Sequence, residues 1–109
     1  MNDLAKKKCV PCEGGTPPLA LREVDELLKW VKGWAALGNQ QLDQEFKFKN
    51  FDAAMTFVDQ VAKIAQAENH HPNIYLHDWN QVKITLMTHA VGGLSENDFI
   101  LAAKIDQLL

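Results

Sequence analysis

Three histidines, His70, His71 and His89, are the residues of this 109-residue chain whose type and placement suit acid-base chemistry on a small molecule. Imidazole has an unperturbed pKa of about 6.5, so it can both give and accept a proton near neutrality. Adjacent side chains at a helix end project in different directions, which suits a shared pocket with divided roles: one ring acts on a ligand while its neighbour binds or orients it. Partial negative charge at a helix C-terminus favours the protonated form of His70 by a few tenths to about one kcal/mol, the character of an acid. His89, just ahead of Gly92-Gly93, can approach the same ligand from another element. Spacing alone leaves a second reading open, in which the pair is a polar helix end and His89 an ordinary strand-end residue. His77, beside Asp78, reads as structural, and Asp98 reads equally as a helix-capping acid or a pocket residue.

The same three imidazoles could be read as a catalytic zinc set, but adjacent ligands are awkward for tetrahedral closure, and H-x-H or H-x-x-x-H spacing is missing. Cys9 and Cys12 form a C-x-x-C pair ahead of any regular structure, half a zinc site at best without a second pair. No metal is expected, and the dithiol is expected to be functionally silent.

The elements that must position the histidines follow from periodicity. Leu21, Val24, Leu28 and Val31, with Leu27, give a first helix that Gly33 ends. Residues 34–37 and 42–49 are strand candidates joined at the Gly38-Asn39 turn, with Phe46 and Phe48 on one face and Glu45, Lys47 and Lys49 on the other. Asn50 is an N-cap for a helix to about Asn69, with Phe51, Ala54, Met55, Val58, Val61, Ala62 and Ala65 on its apolar face, broadened by Phe57 and Ile64. Pro72 biases His71 away from the helical region, so the histidine pair falls at that helix's C-terminus. Residues 74–77 and 81–89 read as two more strands, with His89 on the less apolar face of the second. After the Gly92-Gly93 break, Ser95 and Asp98 form a capping box for a last helix carrying Leu101, Ala102, Ile105, Leu108 and Leu109.

This order of helix, two strands, helix, two strands, helix predicts an α+β fold in which three helices cover one face of a four-stranded antiparallel sheet. Residues 1–18, with their lysine run, cysteines, Gly14-Gly15 and Pro17-Pro18, read as a flexible N-terminal arm, and residues 19–109 as a single domain. Open sheet edges in so small a domain favour a homo-oligomer, dimer or tetramer. Hydrophobic residues at 47% and charged residues at 23% are the balance of an ordinary globular protein. The net charge of −3, with its only basic run at Lys6-Lys7-Lys8, argues against direct nucleic-acid binding. No apolar run reaches the roughly 18 residues of a membrane span and no apolar stretch follows the lysines, so a cytoplasmic location away from membranes is expected.

The segment Glu68-Asn69-His70-His71-Pro72, then Tyr75, the run Val82-Lys83-Ile84-Thr85-Leu86, Thr88-His89, Gly92-Gly93-Leu94-Ser95 and Asp98, resembles the pterin-4a-carbinolamine dehydratases, and of these the bacterial type. Trp34, the stretch from Phe46 to Phe51 and residues 54–58 extend the resemblance over about residues 20–109. It implies the same α+β layer and a hydro-lyase that removes water from 4a-hydroxytetrahydropterin to give quinonoid dihydropterin, in tetrahydrobiopterin recycling for aromatic amino-acid hydroxylation. No cofactor is implied, the pterin being the substrate. His70, His71 and His89 become the catalytic histidines, with Asn69, Pro72, Thr88 and Asp98 as substrate-binding residues. The implied partners are the pterin, further copies of the chain and a functional link to phenylalanine hydroxylase. A dimerisation or regulatory role of the coactivator kind, without essential catalysis, is the alternative that the family also implies. Many members carry a carboxylate four residues before the first histidine, where this chain has Gln66. Glu68, about 200 degrees from His70 on a helix, cannot replace it as an i,i+4 partner. What orients His70 is therefore the question that the sequence poses to the structure.

Overall fold

The structure is a computed structural model and describes residues 4–11 and 14–109. Three α-helices and four strands follow one another as α1 (Leu21–Leu28), β1 (Ala35–Leu37), β2 (Gln41–Lys47), α2 (Phe51–Glu68), β3 (Asn73–His77), β4 (Gln81–Leu86) and α3 (Glu96–Asp106). The element order and the α+β class are those expected from periodicity. The two hairpins, β1-β2 and β3-β4, are joined through a central antiparallel β2-β4 pairing, which gives the spatial order β1-β2-β4-β3.

Alternation decides which face of this sheet is dry. Leu42 and Phe46 of β2 and Val82, Ile84 and Leu86 of β4 are buried under the helices, while Gln41, Asp43, Glu45, Lys83 and Thr85 line the other face. The buried stripe of α2 is Ala54, Phe57, Val61 and Ala65. It is centred on Phe57, and Phe51 and Ala62, expected on the buried face, are exposed. Phe57 sits 4.7 Å from Phe46 and 5.0 Å from Phe48 between ring centroids, so an aromatic cluster fixes α2 on β2. In α1, Val24 is buried, but Leu21 at the first position faces solvent.

Helix α3 is buried nearly all round, from Asn97 to Ala103 and again at Ile105. A helix with no polar face needs cover on two sides. Helix α2 supplies one, and a short 3-10 turn at Leu4–Lys6 in the N-terminal arm supplies the other, with Leu4 buried in the core. Several element boundaries differ from the periodicity. Strand β4 stops at Leu86, and His89, expected on a strand, opens a single 3-10 turn, His89–Val91, capped by Gly92 in the left-handed region at φ 69°. Helix α1 ends at Leu28, and Trp34 precedes β1 as a buried residue. No helix among the described residues is long and apolar enough to cross a membrane.

Candidate active site

Two turns carry the three histidines. The first closes α2. Asn69 adopts the left-handed conformation at φ 52°, ψ 41°, its N–H donating to Gln66 O at 3.4 Å, and the His70 N–H reaches back to Ala65 O at 3.1 Å. This Schellman-type closure satisfies the last helical carbonyls and turns the chain sharply, and Asn accepts the left-handed backbone better than other non-glycine residues. Pro72 then keeps the chain extended into β3.

The second turn runs from Thr88 to Ser95 and is pinched shut at its base. Thr88 N donates to Gly93 O at 2.8 Å and Gly93 N to Thr88 O at 3.3 Å. Gly93 has no alternative at its position, because a Cβ there would lie 2.6 Å from Asn39 O and 3.0 Å from Pro18 Cβ. That same Asn39 carbonyl accepts the Leu94 N–H at 2.8 Å, so the β1-β2 turn braces the loop that presents His89.

Asp98 joins the two turns. Its carboxylate is fully buried, with Oδ1 2.6 Å from His70 Nε2 and Oδ2 accepting from Thr88 Oγ1 at 2.8 Å and from Ser95 N at 3.0 Å. Asp98 therefore caps α3 with one oxygen and meets His70 with the other. A carboxylate without a proton only accepts, and in that form of Asp98 Nε2 of His70 would carry the hydrogen and the Thr88 hydroxyl would point to Asp98. Ser95 Oγ, 2.7 Å from Thr88 Oγ1, must then donate to Thr88. His70 is left with Nδ1 for a ligand, and among the described residues no side chain or backbone group hydrogen-bonds that nitrogen. The carboxylate partner missing at Gln66 is thus supplied from α3, across the fold. Gln66 Oε1 instead meets Nε2 of His71 at 3.1 Å.

A cavity of about 270 Å³ opens between these turns, lined by Glu68, Asn69 and His70, by Thr88, His89 and Ala90, by Asn97 and by Cys9, Val10 and Pro11 of the arm. Its size is near the lower end of small-molecule sites. His70 and His89 face one cavity together, as do Asn69 and Thr88. His71 and Pro72 do not line it, and Asp98 lies behind its wall. Sequence reasoning passed over Asn97 and the arm: Asn97, beside Asp98, is a buried polar residue in the first turn of α3, a signal readable only once that helix is known to be covered all round. Cys12 lies outside the described residues.

The α+β layer brings His70, backed by the buried Asp98, and His89 to one small polar cavity, an arrangement that suits proton transfer on a small molecule. The pterin 4 alpha carbinolamine dehydratase family model matches residues 17–108. A relative in Nitrosospira multiformis bearing the pterin-4-alpha-carbinolamine dehydratase name is 49% identical over 99% of this chain and 94% of its own. The Arabidopsis thaliana mitochondrial pterin-4-alpha-carbinolamine dehydratase 2 is 44% identical over 97% of this chain and 59% of its own. Among solved structures, a transcriptional coactivator/pterin dehydratase from Brucella melitensis superposes with a TM-score of 0.77 at 34% identity, covering 84% of this chain and 97% of that one. A pterin dehydratase-like RuBisCO assembly factor of the alpha-carboxysome gives a TM-score of 0.59 at 27% identity over 70% of this chain and 88% of that one. The chain belongs to the pterin-4-alpha-carbinolamine dehydratase family, whose namesake enzymes are hydro-lyases.

Proposed function

We propose that the chain is a dehydratase acting on 4a-hydroxytetrahydropterin, working in the recycling of tetrahydrobiopterin after aromatic amino-acid hydroxylation, and that His70 and His89 divide the proton transfers. The observation that carries the assignment is the 2.6 Å contact between His70 Nε2 and the buried Asp98 carboxylate, at a cavity that His89 shares. The reaction breaks the C4a–O bond with its electron pair going to oxygen. A proton delivered to that oxygen completes water, and a ring nitrogen gives up its proton as the C=N bond closes. One acid and one base are needed, and each positioned group contributes about a hundredfold to ten-thousandfold.

Asp98 stabilises the imidazolium that forms when His70 takes a proton on Nδ1, which makes His70 the base, while His89 protonates the leaving hydroxyl. Asn69 and Thr88 line the cavity and contact the pterin, and Asp98 acts through His70 as a positioning residue. His71 and Pro72 shape the rim, His71 by ligand contact rather than proton transfer. The sheet ends at β1 on one side and β3 on the other, and unpaired edges of this kind support a homo-oligomer.

The test follows the decay of enzymatically generated 4a-hydroxytetrahydropterin by ultraviolet absorbance. The protein should accelerate it well above the spontaneous rate, and His70→Ala or His89→Ala should each lower kcat by about a hundredfold or more. No acceleration by the wild type overturns the proposal, and full activity in both variants overturns the histidine assignment.

A further inference from the structure

One wall of the histidine cavity comes from neither histidine turn nor α3 but from Cys9, Val10 and Pro11 of the N-terminal arm. The arm is fastened there at several points. Asn97 grips both backbone groups of Val10, its Nδ2 donating to Val10 O at 2.6 Å and its Oδ1 accepting from Val10 N at 3.0 Å. Glu68 Oε1 accepts the Cys9 N–H at 2.8 Å. Lys104 Nζ donates to Ala5 O at 2.7 Å and lies 3.7 Å from Glu68 Oε2, and Leu4 inserts into the core.

A side-chain amide can serve one residue's N–H and C=O at once, accepting with oxygen and donating with nitrogen. With the arm in place Asn97 is only 5% exposed, so both of its bonds to Val10 are sheltered from water. Val10 and Pro11 carry no titratable side chain, and the Cys9 Sγ is turned onto Asn97 O at 3.6 Å. Arm residues 9–11 therefore offer surface and shape to a ligand.

We infer that Asn97 and Glu68 are positioning residues that hold arm residues 9–11 as the outer wall of the pterin cavity, and that this wall sets how firmly substrate is retained rather than how fast it is dehydrated. The inference rests on the pterin reading of the site. A wall that covers the ligand equally in ground state and transition state provides uniform binding, which appears in KM and leaves kcat alone.

The experiment follows amide hydrogen exchange of the full chain with and without biopterin, beside steady-state kinetics of two variants. The Cys9 and Val10 amides, bonded to Glu68 and Asn97, report arm opening. Biopterin at ten times its Kd should slow their exchange about tenfold, together with the amides of His70 and Gly92 in the two histidine turns. Val10→Ala, at a side chain 65% exposed and so harmless to folding, should raise KM about threefold to tenfold with kcat within twofold. Asn97→Ala should raise KM further and release the Cys9 and Val10 amides to fast exchange. Protection of His70 and Gly92 without any at Cys9 and Val10 overturns the inference and leaves the pterin site standing. Variants that lose kcat at unchanged KM overturn it too. Protection at neither place overturns the pterin reading, and the inference with it.

Discussion

His70 and His77 both lie against carboxylates at hydrogen-bonding distance, and their surroundings leave the two imidazoles with opposite freedoms. His77, on the open face of the sheet, has Nδ1 2.8 Å from Asp78 Oδ2 and Nε2 2.8 Å from Glu45 Oε2, with its ring stacked on Tyr75 at 4.8 Å between centroids. Only the imidazolium donates at both nitrogens, so the hydrogen bonds to Asp78 first and Glu45 second hold its pKa above the ordinary value. No ring nitrogen remains for chemistry. His70 meets one carboxylate on one nitrogen, and that carboxylate is buried and tied to Thr88 and Ser95. A neighbouring carboxylate therefore does not by itself leave a histidine free to exchange a proton with a ligand. What separates the two is how many ring nitrogens the protein occupies and whether the partner is held in place away from water.

Asp98→Asn breaks the buried half of this comparison and should have the largest effect. With its oxygen kept by Thr88 and Ser95, the new amide nitrogen faces His70 Nε2 and donates to it, so Nε2 loses its hydrogen and Nδ1 gains one. The ring stays in place with the wrong tautomer, and kcat should fall about a hundredfold to ten-thousandfold. Steady-state dehydration kinetics, with circular dichroism to check the fold, measures this. A kcat within a few fold of wild type would mean that Asp98 only caps α3.

Gly93→Ala tests the frame that holds the second turn. The new methyl would sit 2.6 Å from Asn39 O, a carbonyl already committed to Leu94 N, so it cannot recede without losing that bond. Urea unfolding should show a loss of about 1 to 3 kcal/mol, the cost of overpacking a rigid contact. Activity should drop with it, since Gly93 closes the loop that presents His89. A neutral stability change would show that the loop has slack.

The fold was legible because its signals are local. The alternation of Val82, Ile84 and Leu86, the Asn50 cap, the Pro72 stop and the Ser95-Asp98 box each act within a few residues, and all appear in the structure. The histidine residues were legible too, as types at the end of one helix and ahead of a glycine pair. What orients His70 was not, because Asp98 lies 28 residues away and its pairing depends on how α3 crosses α2. The arm stayed hidden for the same reason: nothing local in Cys9, Val10 and Pro11 foretells Asn97, 87 residues from Val10. The strand reading of residues 87–89 failed where hydrogen bonding from Gly93 back to Thr88 prevails over alternation.

The smallest effect belongs to the exposed half of the comparison, and its sign is what matters. His77→Ala removes an imidazolium whose folded pKa is raised, so wild type binds that proton more tightly when folded than when unfolded. The stability that His77 contributes is fully present below the unfolded value of about 6.5 and disappears as pH rises through the higher folded value. Urea midpoints of wild type and His77→Ala should therefore differ most near pH 5 to 6 and converge toward pH 9. The gap should narrow further in high salt, because Glu45 and Asp78 are exposed and their charges screened. Dehydration kinetics should stay within twofold of wild type at every pH. A gap that widens with pH would contradict the imidazolium, and a large loss of activity would move His77 from the structural side of the comparison to the working one.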